Sequence, residues 1–238
     1  MTKLATYSAL AKYSKKMISE IQWKHLLPKY WNWKKIIWPF RVLIHPLKAY
    51  NEIKYEKAGS VGLSFVILAA WFFSSIYEYL EYGFQFTTNK VEMLSVLSEF
   101  MSSAMIIVLW SIANWAICTL MDGEGWFKEI WIANSYATMP LVVTTIPLTI
   151  LSKVLTIEEA SWLTLLGTIA FFWTVLLMLI ANTIIHQYSI KKSIFSMILT
   201  VFGVFILLLL VVLLVSLVAQ FWDFITVIGR ELMFRFNG

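Results

Sequence analysis

His25, His45 and His186 are the only histidines in this 238-residue chain, and Cys118 is the only cysteine. A metal cage needs several such ligands at close spacing. Here they are scattered, so no bound metal is expected, and a lone cysteine forms no intramolecular disulfide. Cys118 lies in an apolar run and reads as a small buried residue. His186 stands beside Gln187 and Tyr188 at the end of another apolar run and reads as a capping or interfacial group. Glu78 and Glu81 fall about one helical turn apart and could hold a cation between them, although solvated carboxylates are the plainer reading. Gly123 and Gly125 flank Glu124, but no preceding strand and no third glycine completes a nucleotide-binding loop. The sequence contains no H-E-x-x-H and no G-x-S-x-G. No catalytic residue and no cofactor are therefore expected.

The apolar runs explain why chemistry is sparse. Hydrophobic residues make up 60% of the chain, aromatic residues 16% and charged residues 14%, with 12 tryptophans. An ordinary soluble domain carries about 25% charged residues, and no water-soluble fold of this length hides so much apolar surface. The bilayer is the implied solvent. Crossing its roughly 30 Å core takes about 20 apolar residues in a helix. Five segments qualify, roughly 59–79, 100–121, 129–151, 163–186 and 193–221. The expected fold is all-α, a polytopic membrane helix bundle of about five transmembrane helices over residues 59–238.

Within the spans the polar residues are amides and hydroxyls, and the central stretches carry no ionisable group. Asn114, Asn134 and Asn182, with Tyr136 and Pro140, are the candidate interhelical contacts; amide hydrogen bonds between spans contribute about 0.6–2 kcal/mol each. A polar binding site shared among these helices is the sharper alternative. The third span contains Pro140 and Pro147, so a kink is expected, with Thr144, Thr145 and Thr149 supplying hydroxyls to the freed carbonyls inside the bundle. The fifth is longer than a bilayer requires, so its last turns, from Asp223 to Glu231, should emerge or the helix should tilt.

Charge orients the bundle. Twelve of the 19 Lys and Arg residues precede the first span, and an N-terminus-inside layout puts 15 on the cytoplasmic side against four outside. The positive-inside rule favours that layout, with the C-terminus extracellular. Residues 1–58 form a separate cytoplasmic, interfacial segment, basic and rich in aromatics. Trp31, Trp33 and Trp38 stand among Lys34, Lys35 and Arg41, a mixture suited to burying rings in the headgroup layer while cations meet the anionic leaflet of the lipid bilayer. A nucleic-acid partner is not expected for a tethered segment of this kind. The loop Asp122-Gly123-Glu124-Gly125-Trp126-Phe127-Lys128-Glu129 joins spans two and three. Its glycines are expected to permit a tight reversal, and its charges, chiefly Asp122, Glu124 and Lys128, to offer a docking surface alongside the N-terminal aromatics.

Three stretches, in this order, resemble a known family. Ile44-His45-Pro46-Leu47-Lys48-Ala49-Tyr50-Asn51-Glu52-Ile53-Lys54 looks, from Pro46 onward, like the I-x-x-P-x-x-A-F-x-x-I-K opening of bacterial members of the Yip family, the Ypt/Rab-interacting membrane proteins. Gly125-Trp126-Phe127-Lys128 resembles the family's G-S-F-K element. Tyr136 and Pro140 resemble its Tyr-x-x-x-Pro element. The D-L-Y-G-P signature of the eukaryotic branch is missing, so Rab binding is not carried over. The resemblance implies a five-span protein of the bacterial plasma membrane, accessory to ABC-type transporters and their permease and ATPase subunits, among them carbohydrate importers.

The residues and the resemblance together lead to one expectation: a non-enzymatic accessory or scaffold subunit of a bacterial membrane complex. The alternative is an autonomous small-solute transporter or channel, whose polar path would have to run past Asn114 and Asn182.

Overall fold

The computed structural model describes residues 38–86 and 95–237. Among these residues the regular structure is helical throughout. Two short helices come first, α1 (Trp38–Ile44) and α2 (Pro46–Tyr55), joined at His45. Pro46 opens α2 where a missing N–H costs nothing. Ala49, Tyr50, Ile53 and Lys54 recur at helical spacing and form the buried face of α2. That face lies mainly against the end of the fourth span, with α6 (Phe127–Ala137) beside it.

Five helices or helix pairs are long and apolar enough to cross a membrane. The first is α3 (Val61–Glu81). The second runs Val96–Leu120 as α4 (Val96–Phe100), a wide π turn over Met101–Met105, and α5 (Ile106–Leu120). The third is α6 followed by α7 (Met139–Ser152), and the fourth runs Ile157–His186, ending in α8 (Ala160–His186). The fifth is α9 (Ile190–Asn237), 48 residues without a break. Large apolar side chains on these helices stand exposed, among them Phe73, Phe172 and Phe205. Such a surface is stable in lipid and not in water, so the chain is a multi-pass membrane protein.

The third span departs from a single kinked rod. It breaks at Thr138, whose N–H turns back to Ser135 and Tyr136 carbonyls, two residues ahead of Pro140 and about two and a half turns ahead of Pro147. Thr144 donates to the Pro140 carbonyl, Thr145 to that of Leu141 and Thr149 to that of Thr145. None of these is the Val143 carbonyl that Pro147 leaves without an N–H, so the three hydroxyls do not play the part expected of them. Packing also divides the span. Glu129 to Ala137 are all buried, whereas α7 buries only Met139, Pro140, Thr149 and Ser152. The first half is buried throughout, whereas the second packs between α3 and α8 and leaves one side exposed.

The ends of the bundle differ. At one end lie α1, α2 and the turns after α5 and α8. At the other, Gly83 N–H donates to Ser152 Oγ at 2.8 Å, and Lys153 pairs with Glu81. That carboxylate raises the Lys153 pKa above the usual lysine value. The main apolar core, including Val42, Tyr50, Ile53, Trp131, Leu177 and Ile185, gathers toward the α1–α2 end.

Candidate functional site

The turn after α5 begins with Asp122 in the left-handed region, φ 58°. Gly123 N–H then reaches back to the Cys118 carbonyl at 2.8 Å, the back-bond of a Schellman C-cap. α8 ends in the same way, with Gln187 at φ 56° and Tyr188 N–H bonded to the Thr183 carbonyl at 3.0 Å. Neither Gly123 nor Gly125 has a positive φ, so the expectation that they make the reversal possible by conformational freedom is corrected: they are glycines for want of room. A Cβ on Gly123 would lie 2.6 Å from the Tyr188 hydroxyl and 2.9 Å from the Cys118 carbonyl oxygen, and one on Gly125 would lie 2.8 Å from His186 Cε1.

His186 is the side chain this loop covers. It is 2% exposed, and neither ring nitrogen has a hydrogen-bond partner among the described residues. Its ring stacks on Tyr188 with centroids 5.4 Å apart. His186 is therefore buried under the turn and caps nothing. The Tyr188 hydroxyl donates to the Cys118 carbonyl at 2.9 Å, and Lys192 lies 4.3 Å from the centre of its ring. Burial, and then the neighbouring Cys118, push the Tyr188 hydroxyl well above the usual phenol range.

A charged node ties α2 to the loop and to α6. Lys54 Nζ donates to the Glu124 carbonyl at 3.0 Å and lies 3.5 Å from Glu129 Oε2; Lys57 pairs with the other carboxylate oxygen. Glu129 is the third residue of α6 and reaches back toward Trp126 N–H at 3.5 Å, a long capping contact. Nearby, Tyr136 Oη accepts from Ser60 N–H at 3.2 Å and lies 3.3 Å from the Ser60 carbonyl, fixing the start of α3.

The remaining candidates separate into groups. Asn114 Nδ2 donates to Asn182 Oδ1 at 3.1 Å and to Thr200 Oγ1 at 3.3 Å, while Asn182 Nδ2 donates to Ser193 and Ser196 hydroxyls at 3.0 and 2.6 Å. This network joins α5, α8 and α9. Asn134 stands apart and donates to Ser111 Oγ on α5 at 3.2 Å. Pro140 lines an apolar cavity of about 450 Å³ with Thr144, Pro147 and Trp173. Among the candidate docking residues, Asp122, Glu124 and Lys128 are exposed and Gly123 and Gly125 face inward; Trp126, in the same loop, is exposed as well. Trp38 is 9% exposed, with the Arg41 guanidinium 4.7 Å from its ring, so it belongs to the core. Trp31, Trp33, Lys34 and Lys35 lie outside the described residues.

A family model, the Yip1 domain, matches residues 40–221. The chain belongs to the Yip1 domain family. No curated protein and no solved structure matches it significantly. The Yip1 domain here begins within α1 and closes inside α9, at Phe221, so the turns of α9 from Trp222 onward lie beyond the matched region. Its sequence elements converge in space. The Ala49, Tyr50, Ile53 and Lys54 face, the Gly125 turn and Tyr136 all meet at the α1–α2 end. Sequence reasoning overlooked Lys57, Glu129 and the packing of His186 against the glycines; the i, i+3 spacing of Lys54 and Lys57 was the available signal.

Proposed function

We propose that this Yip1 domain protein is a non-enzymatic accessory subunit of a bacterial plasma-membrane complex built on an ABC-type transporter, a carbohydrate importer in the most specific form of the reading. The observation that carries it is the reach of α9. The apolar helix from Ile190 to Glu231 has 42 residues, roughly 63 Å, against a hydrocarbon core of about 30 Å. Hiding that length in lipid by tilt alone would need about 60°, beyond the observed range of tilts of up to about 40°. From Leu208 to Glu231 every residue except Thr226 is exposed. Ser216, Gln220, Asp223, Thr226 and Arg230 recur three or four residues apart, giving this free stretch one polar side and a broad apolar remainder. A partner protein supplies the missing cover.

With the N-terminus inside, Lys54, Lys57, Lys128, Lys191 and Lys192 face the cytoplasm, and the exposed Asp122, Glu124, Trp126 and Lys128 form a second contact surface there. The distal part of α9 emerges on the extracellular side. The polar network around Asn114 and Asn182 is buried and internally paired, which supports interhelical adhesion over a solute path.

The test is recovery of the tagged protein from its native membrane in mild detergent, with a mock-tagged control and mass spectrometry. Stoichiometric permease and ATPase subunits are the expected result. Recovery of the folded protein alone, together with solute flux in liposomes, overturns the proposal in favour of an autonomous transporter.

A further inference from the structure

A cavity of about 460 Å³ opens between α2 and α6. Lys57, Lys128 and Glu129 form its polar wall, Ile53 and Ile132 its apolar wall, and Trp126 stands at the rim, 75% exposed. The one carboxylate in that wall is already engaged twice: Lys57 pairs with it, and Lys54 lies 3.5 Å away. Lys128 has no ion pair or hydrogen bond among the described residues. Asp122 and Glu124 are exposed on the adjoining loop but do not line the cavity. The wall therefore carries an excess of positive charge.

The cavity also has a defined depth. Lys57 and Gly59 immediately precede the span that starts at Val61, and Trp126 and Lys128 flank Phe127, where the third span begins. It opens where two spans enter the bilayer, at the level of lipid headgroups. Cations at that level, an indole beside them and apolar walls below suit an amphiphile with an anionic head. The positive dipole ends of α3 and α6 act in the same direction.

We infer that this cavity binds the phosphate-bearing headgroup of an anionic phospholipid, with Lys128 as its unshared cation and Lys57 held between Glu129 and the lipid. The inference shares with the proposed function only the facing of this end toward the anionic leaflet. Binding in detergent is read without any partner, so a failed co-purification leaves it standing.

The experiment is native mass spectrometry of the purified full chain in neutral detergent, with phosphatidylglycerol, phosphatidylcholine or inorganic phosphate added. Retention of one phosphatidylglycerol in preference to phosphatidylcholine is expected. Lys128→Gln should weaken that retention about fivefold, the effect of one lysine near an anionic surface, and Lys128→Arg should restore it. Because Lys128 has no partner to lose, the thermal midpoint of Lys128→Gln should match the parent, which separates lost binding from lost folding. Equal retention of both lipids, or undiminished retention by Lys128→Gln, overturns the inference. Displacement of the lipid by millimolar phosphate alone overturns the lipid as source and leaves a free-anion site.

Discussion

Glu129 and Lys54 face each other at 3.5 Å with side chains only 7% and 10% exposed, while Lys57, the second cation on the same carboxylate, is 67% exposed. This asymmetry ranks three substitutions. Glu129→Gln leaves a buried ammonium without its counterion, a loss of about 3–5 kcal/mol. Lys54→Met leaves the carboxylate with Lys57 and should cost about 1–3 kcal/mol. Lys57→Met breaks a largely solvated pair, about 0–1 kcal/mol. Unfolding free energies in detergent should follow that order; equal losses would mean that the node acts as one solvated cluster.

The Asn114–Asn182 contact at 3.1 Å is the hub of the α5–α8–α9 network. Asn182→Leu strips partners from Asn114, Ser193 and Ser196 at once, whereas Asn114→Leu leaves Asn182 bonded to both serines. Asn182→Leu should therefore be the more damaging, at about 1–2 kcal/mol against roughly 0.6 for Asn114→Leu. The double variant should lose less than the sum, and additive losses would show that the two amides are energetically independent.

Much of this architecture was legible because lipid imposes a coarse rule. Twenty apolar residues without charge announce a span, and the runs around Ile67, Ile107 and Leu177 obey it. The break at Thr138 was legible only in part: Pro140 and Pro147 both mark a disruption, and only the tertiary packing of Tyr136 against Ser60 shows that the helix parts beside Pro140. The charged node was hidden for a similar reason. Lys54 and Lys57 look like two more members of a basic tail, and Glu129 like one more loop carboxylate, until α2 is laid across the end of α6. Gly123 and Gly125 suggest a tight reversal from sequence alone, because sequence carries no record of the His186 ring pressed against them.

That crowding makes Gly123→Ala and Gly125→Ala unequal. At Gly123 the new methyl would meet the Cys118 carbonyl oxygen at 2.9 Å, and backbone cannot swing aside. At Gly125 it would meet the imidazole of His186 and a methyl of Ile185 at 2.8 Å, both side-chain atoms. Gly123→Ala should cost about 2–3 kcal/mol and Gly125→Ala about 1 kcal/mol, the range for overpacking a filled site. In Gly125→Ala the additional change His186→Ala should recover part of the loss; absence of recovery would place the strain elsewhere.

Tyr50 supplies a prediction of the opposite sign. It is fully buried, its hydroxyl has no hydrogen-bond partner among the described residues, and burial holds that hydroxyl far above the usual phenol range. The family pattern that this stretch resembles carries Phe at the position. Removing an unpaired buried hydroxyl while keeping the ring should be neutral or stabilising, by about 1 kcal/mol. Tyr50→Phe should thus raise the thermal midpoint in detergent or leave it unchanged, and a clear drop would reveal a partner for the hydroxyl.

The free stretch of α9 separates folding from assembly. The helix packs on α5 through its proximal turns, where Gly203 would place a Cβ 3.4 Å from Ala113 Cβ and Ile117 Cγ1, and from Phe221 onward every described residue but Thr226 is exposed. A chain ending at Phe221 keeps the whole matched domain and the Asn114–Asn182–Thr200 network. Its thermal midpoint in detergent should therefore stay within a degree or two of the parent, because contacts that do not exist cannot be lost. Co-purification of partner subunits should fall sharply, since the apolar turns after Trp222 are the surface that lipid cannot reach at any ordinary tilt. Unchanged recovery of partners with the shortened chain would move the contact to the Asp122–Lys128 end, whereas a collapsed midpoint would show that the distal turns fold back onto the bundle.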